Sequence, residues 1–425
     1  MNASGQMIDD LLASPTPYHA VARASDLAIA AGFQIVDLAA PLPAEPGSYV
    51  AVMSGTLVAW VTGGGNAPGF TVVGAHTDSP NLRVRSNPDI SSAGWAQVGM
   101  EVYGGVLLNS WLDRDLGLAG RVAVRSGSGI ESRLVRDDSA LLTIPQLAIH
   151  LDREIRDKGL LLNPQTHMTP IWARGDSESG DFRRYVAGLA DAEPEQVVSW
   201  DLMAHDVQAP ANIGVNDEFI ASARIDNLFS SFCGLHALIQ TATEGPADGR
   251  IPVLVLYDHE EVGSASATGA AGAHLSNVLE RISASCGRDR VAHLEGLASS
   301  YVVSVDGARA THPNYVDKHD PNHHIAVNAG VVVKRNSNQR YASDVASEGP
   351  FRGACVDAGI RVQTYVHRND LPCGSTIGPI TAAQLGVPTV DIGAAQLAMH
   401  SIRELAGVED VAYLTDALAA MWRLA

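Results

Sequence analysis

Apolar residues along this chain come in two textures. In one, short continuous apolar runs alternate with stretches of helical spacing; in the other, brief β-prone runs are broken by Gly, Ser, Asn and Pro. Residues 7–32 predict a helical entry. IDDLLAS is followed, after a Pro-Thr-Pro break, by the Ala-rich AVARASDLAIAAG, with Gly32 as a natural stop. β-prone runs come next at Ser48–Val52, Leu57–Val61 and Phe70–Val73. The Gly-rich TGGGNAPG between the last two predicts a hairpin turn. A phosphate-binding loop would need a helix after it, and a strand follows instead.

From about Val84 to Ile213 the second texture takes over. GRVAVR, SRLVR and LLTIP are short and β-rich, SGSG, RGDSESG and NPQT punctuate them, and QLAIHLDREI has a helix-like spacing. After Phe219 the first texture returns. RIDNLFSSFCGLHALIQTA and AHLSNVLERISAS predict helices, and IPVLVLY, YVVSV and VPTVDI predict buried strands. Continuous apolar strands alternating with helices imply a sheet covered on both faces and at least partly parallel. The chain therefore divides into 1–83, 84–213 and 214–425. The outer segments share one α/β domain, and the middle one is a β-rich insertion.

Charge narrows the partners. Lys and Arg number 29 and Asp and Glu 47, so the formal charge is 29 − 47 = −18. Such a surface repels nucleic acid and anionic membranes. The N-terminal stretch lacks the basic and apolar regions of a signal peptide, and no apolar run is long enough to span a bilayer. Cys233, Cys286, Cys355 and Cys373 are widely spaced and form no CxxC pair, which suits free thiols in a reducing cytoplasm.

The chemistry sits where the predicted strands end. FTVVGA runs into His76, Thr77 and Asp78; IPVLVLY runs into Asp258, His259, Glu260 and Glu261; YVVSV ends at Asp306. VPTVDI leads to the loop holding His400, and Asp226 stands just before a helix. Ligand sites of open α/β sheets gather at the carboxyl ends of strands. Two His and three carboxylates suit a pair of divalent ions sharing one bridging carboxylate. A further carboxylate is needed as general base, and the adjacent Glu260 and Glu261 offer one ligand and one base. Asp78, two residues beyond His76, can support that ring from behind.

Six segments in order, GAHTDSPNLRV, RIDNL, DHEEVGSASATGA, SVDGARATHPNY, RNDLPCGSTIGP and QLAMHSIRE, resemble the M18 metallopeptidases, the aspartyl aminopeptidases. The resemblance runs over essentially the whole chain. It implies the two-metal aminopeptidase fold, a phosphorylase/hydrolase-like mixed sheet flanked by helices and interrupted by a β-rich dimerisation domain. It also implies His76 and His400 as terminal ligands, Asp226 as bridge, Glu261 and Asp306 completing the shells, Glu260 as catalytic base and Asp78 as supporting carboxylate. The cofactor would be two divalent metal ions, zinc in the first place, with cobalt or manganese as alternatives. The substrates would be peptides with a free N-terminus, acidic residues being preferred, and Lys334 would lie in the substrate pocket. The assembly implied is a homo-oligomer, a dodecamer built from dimers, in which His150 reaches a neighbour's active site.

Other features are read as structural. DKHDPNHH (Asp317 to His324) is a polar loop and Cys373 a buried small residue; Ser264 and Ser266 lack the Gly-x-Ser-x-Gly elbow. The rival readings are a two-metal hydrolase for neutral N-terminal or N-acyl residues, and a metal-stabilised scaffold without turnover.

Overall fold

A computed structural model describes residues 2–63, 69–127, 129–245 and 249–424. The chain forms two compact units. The first takes residues Met1–Asp78, Ala211–Met399 and Glu404–Ala425; the second takes Ser79–Pro210 and His400–Arg403.

The first unit is built on a nine-stranded mixed sheet. Its strands lie in the order Gln34–Ile35, Gly47–Met53, Thr56–Thr62, Arg250–Tyr257, Gly69–His76, Tyr301–Val305, Thr389–Gly393, Val331–Arg335 and Val362–Val366. The four central strands run parallel, from Arg250–Tyr257 through Thr389–Gly393. Val331–Arg335 is antiparallel to Thr389–Gly393, so the sheet is mixed, as the alternation of runs implied.

Alternate residues of each central strand serve opposite faces. Leu254 and Leu256 enter the core under helices Ala3–Ala13, Pro17–Ala30, Ile225–Glu244 and Val408–Trp422, while Val253, Val255 and Tyr257 pack with helices His274–Ser285 and Ile377–Leu385. Both faces being covered is the reason these strands read as unbroken apolar runs. Each such Val or Leu contributes about 1.5–3 kcal/mol relative to exposure. A separate five-stranded sheet, Ala211–Ile213, Phe219–Ser222, Glu404–Gly407, Ala395–Leu397 and Ala308–Arg309, belongs to the same unit.

The second unit is a six-stranded antiparallel sheet carrying the helix Asp181–Leu189. Phe182, Val186 and Ala187 of that helix close its core against Leu118, Val122 and Leu202.

Two local expectations fail. QLAIHLDREI forms turns, and only Ile155–Lys158 closes a single helical turn. Leu147, Ile149, Leu151 and Leu161 are exposed there, and an isolated short helix without a buried face is marginal in water. The strands flanking TGGGNAPG are also not hairpin partners, because Arg250–Tyr257 lies between them and pairs with both. Gly64–Pro68 of that segment lie outside the described residues. No helix among the described residues is long and apolar enough to cross a membrane.

Candidate metal centre

The parallel strands of the first unit deliver their ionisable residues to one end of the sheet. His76 is the last residue of Gly69–His76, Asp258 follows Arg250–Tyr257, and Asp306 follows Tyr301–Val305. Beyond Asp258 the chain turns sharply. His259 and Ser264 take positive φ, Gly263 sits at φ +94°, and a short 3-10 turn spans Glu260–Val262. The His259 ring pins this turn, with Nδ1 2.8 Å from Ser266 Oγ.

Asp226 reaches the same place from the start of helix Ile225–Glu244. Its backbone is non-helical, with φ −80° and ψ 105°, and its N–H donates to Glu404 Oε2 at 2.9 Å. The neighbouring Asn227 amide donates to the Val305 carbonyl at 2.8 Å, fastening this helix start to the strand that presents Asp306.

His76 is the hub. Its Nδ1 lies 3.0 Å from the Asp78 carbonyl oxygen, which can only accept, so Nδ1 carries the proton. Nε2 therefore faces the carboxylates, at 3.4 Å from Asp226 Oδ1, 3.7 Å from Asp306 Oδ1 and 3.9 Å from Glu260 Oε2. Behind it, Asp78 is fully buried and accepts the backbone N–H of Glu260 on Oδ1 and that of Glu261 on Oδ2, each at 3.1 Å. One residue thus orients both, its main-chain carbonyl holding the His ring and its carboxylate the paired glutamates.

Two groups of ligand atoms here lie within 4.8 Å of one another: His76, Asp226 and Asp306, and His76, Glu260 and Glu261. Imidazole nitrogen and carboxylate oxygen suit a divalent cation. Crowded acids in a buried site also need one. Burial raises the Glu260 carboxyl to about 8, and burial followed by the Asp226 charge raises Glu261 well above the usual range. Burial opposes a charged His76, yet hydrogen bonds to Asp226, Asp306 and Asp78 hold its pKa well above 6.5. The donor set fits metal ions in both charge and chemistry.

Of the remaining sequence candidates, Lys334 touches the centre through Asp306, and His400 and His150 belong to the second unit. Lys334 is 1% exposed, and its ammonium donates to the Asp306 carbonyl at 2.9 Å, Asp306 Oδ2 at 3.3 Å and the Gly307 carbonyl at 3.3 Å. The ring of Tyr341 lies 5.1 Å from it. His400 belongs to the second unit, where its Nδ1 lies 3.0 Å from the Gly105 carbonyl oxygen. His150 is exposed in a turn of that unit.

Three features escaped the sequence. Glu404 is a buried acid holding Asp226; Asp391 is a buried acid held by Ser304, Thr376 and the Ala342 N–H; Arg309 is a half-buried cation on the Tyr341 hydroxyl. Arg309 stands in the same SVDGAR segment as Asp306, which was the available signal.

Comparisons with known proteins identify the family. The family described as aminopeptidase I zinc metalloprotease (M18) matches residues 11–422. A probable M18 family aminopeptidase 2 of Streptomyces coelicolor is 47% identical over 419 residues, 97% of this chain and 96% of the relative. In a cryo-EM structure of an Ape4 and Nbr1 complex, one chain superposes with a TM-score of 0.94 at 33% identity, over 99% of this chain and 85% of its own length. The mApe1 dodecamer of S. cerevisiae gives 0.87 at 27% identity, over 99% and 97%.

Proposed function

The chain belongs to the M18 family of zinc metallo-aminopeptidases, and on that premise we propose that it removes single residues, acidic ones first, from the N-termini of peptides. The observation that carries the reading is the convergence of His76 Nε2 with Asp226, Asp306 and Glu260 at the strand ends, with Asp78 behind them.

In this reading His76, Asp226, Glu261, Asp306 and His400 would hold two divalent ions, Asp226 being the ligand that the family motif would share between them. The assignment of His400, like that of zinc over cobalt or manganese, rests on the family motif. Ions held there would polarise the scissile carbonyl and lower the pKa of a water. Glu260 takes the proton of the attacking water and returns it to the leaving amine. Asp78 fixes the direction of Glu260 through the backbone N–H and keeps His76 in the tautomer that offers Nε2. The substrate's free α-amine would rest among the surrounding carboxylates.

An acidic preference needs a cation near the substrate's first side chain. Lys334 is the family's position for it, but its three N–H donors are already spent on Asp306 and Gly307. Arg309 forms no ion pair with a described residue, and its Nη2 lies 2.9 Å from the neutral Tyr341 hydroxyl. We assign the acidic side chain to Arg309 in the first place. The occupied Lys334 is also the one observation that favours the alternative of neutral N-terminal residues.

S. cerevisiae mApe1 is a dodecamer. We propose a homo-oligomer of the same kind here, with segment 84–213 as its dimerisation element and His150 contributed to a neighbour's site. The deciding assay is release of p-nitroaniline from Asp-, Glu-, Leu- and Ala-anilides by chelated protein given back zinc, manganese or cobalt. Metal-dependent turnover favouring Asp and Glu supports the whole reading. Preference for Leu or Ala removes the acidic specificity, and no turnover by folded, assembled protein removes the enzyme.

A further inference from the structure

We propose that Lys334 is a positioning residue of the metal centre, a buried clamp that leaves Asp306 one oxygen with which to bind an ion. The inference rests on the metal-site reading above and concerns a residue whose family position suggests contact with substrate.

Geometry carries it. The Asp306 carboxylate is shared out atom by atom: Oδ2 lies 3.3 Å from Lys334 Nζ, and Oδ1 lies 3.7 Å from His76 Nε2. The ammonium also draws in the Asp306 carbonyl at 2.9 Å and the Gly307 carbonyl at 3.3 Å, so it grips the main chain that carries the ligand as well as the carboxylate. An ammonium has three N–H donors and no acceptor, and three protein oxygens fill it. The Tyr341 ring covers it, and the side chain is 1% exposed.

The surroundings explain why a lysine is tolerated there. Its strand, Val331–Arg335, runs antiparallel to Thr389–Gly393, whose Ile392 carbonyl accepts the Asp306 N–H at 3.0 Å. Asp391, on the same strand, is a fully buried acid whose charge Lys334 helps to stabilise. One buried cation therefore serves two buried acids. Asp391 is held by Ser304 Oγ at 2.6 Å and Thr376 Oγ1 at 2.7 Å. Asp306 Oδ1 is left on the His76 side, where it would meet an ion. Outer partners of this kind fix the orientation and the number of atoms a ligand offers.

The test uses cobalt(II) as the probe in chelated, reconstituted K334M, read by visible absorption without substrate, together with kcat/KM for Asp- and Ala-anilides. Freeing Oδ2 allows Asp306 to bind through both oxygens, so the cobalt spectrum of K334M is expected to differ from that of the parent. Both anilides are expected to lose about 10–100-fold together, leaving their ratio within a factor of three. A parent-like spectrum overturns the proposal, and so does a selective loss on the Asp-anilide, whatever the spectrum. Should K334M not fold, K334R keeps the charge but not the geometry and gives the same two readouts with the same decision. The cobalt spectrum needs no turnover, so it judges Lys334 even if the parent protein cleaves none of the anilides.

Discussion

Asp78 Oδ1 accepts the backbone N–H of Glu260 at 3.1 Å, so a residue two places beyond one strand sets the direction of a side chain three places beyond its neighbour. Oδ2 does the same for Glu261. In Asp78→Asn one oxygen becomes an NH2 group facing an N–H donor. The expected result is a fall in kcat/KM of about 10–100-fold with the far-UV circular dichroism unchanged. Parent-like kinetics would remove Asp78 from the catalytic reading.

Metal-free protein is expected to lose stability as pH rises. Burial lifts the Glu260 carboxyl from 4.5 to about 8, so the folded state binds its proton more tightly than the unfolded state. The associated stability is full below about pH 4.5 and is lost as pH climbs through 8. Melting temperatures of chelated protein between pH 5 and 9 should therefore decline, more shallowly in Glu260→Gln, and saturating zinc should restore the alkaline limb. A flat profile in the parent chelated protein would contradict the crowded-acid account.

Gly393 backs directly onto the metal centre. A Cβ there would come 1.9 Å from the Asp306 carbonyl oxygen, which cannot give way without moving its side chain. Gly393→Ala is expected to cost about 1–3 kcal/mol of stability and to weaken zinc binding in a chelator competition. Unchanged zinc affinity would show that Asp306 tolerates the shift.

Arg309→Gln tests where acid selectivity resides. The substitution keeps a donor for Tyr341 and removes the charge. The Asp-to-Ala ratio of kcat/KM is expected to drop at least tenfold while Ala-anilide turnover stays within threefold. A preserved ratio would clear Arg309 of that role.

The site was legible because its strands are buried on both faces. With IPVLVLY and YVVSV buried and almost wholly apolar, an ionisable residue directly after the run has to stand at a sheet end. Pairing was less legible. Leu57–Val61 and Phe70–Val73 are close in sequence, yet a strand from residue 250 onward separates them, and no local signal encodes a partner so distant. The spacing of QLAIHL suggested a helix, but periodicity without a face to bury yields turns. Glu404 and Asp391 passed unnoticed because a buried acid looks like a surface acid until its partners are known. Lys334 could be placed near the centre by resemblance, whereas its grip on Asp306 depends on which strands lie side by side.

The strand Gly69–His76 lies between two neighbours that begin at residues 250 and 301. A ribosome must therefore make some 230 further residues before this strand has both partners, and it carries the first ligand of the centre. Residues 79–210, whose sheet is sewn from their own strands, can close long before then. Synthesis would thus run with one folded module in hand and an apolar N-terminal segment awaiting its mates. That order makes for slow completion, and it leaves an interval in which a nascent-chain chaperone has something to hold.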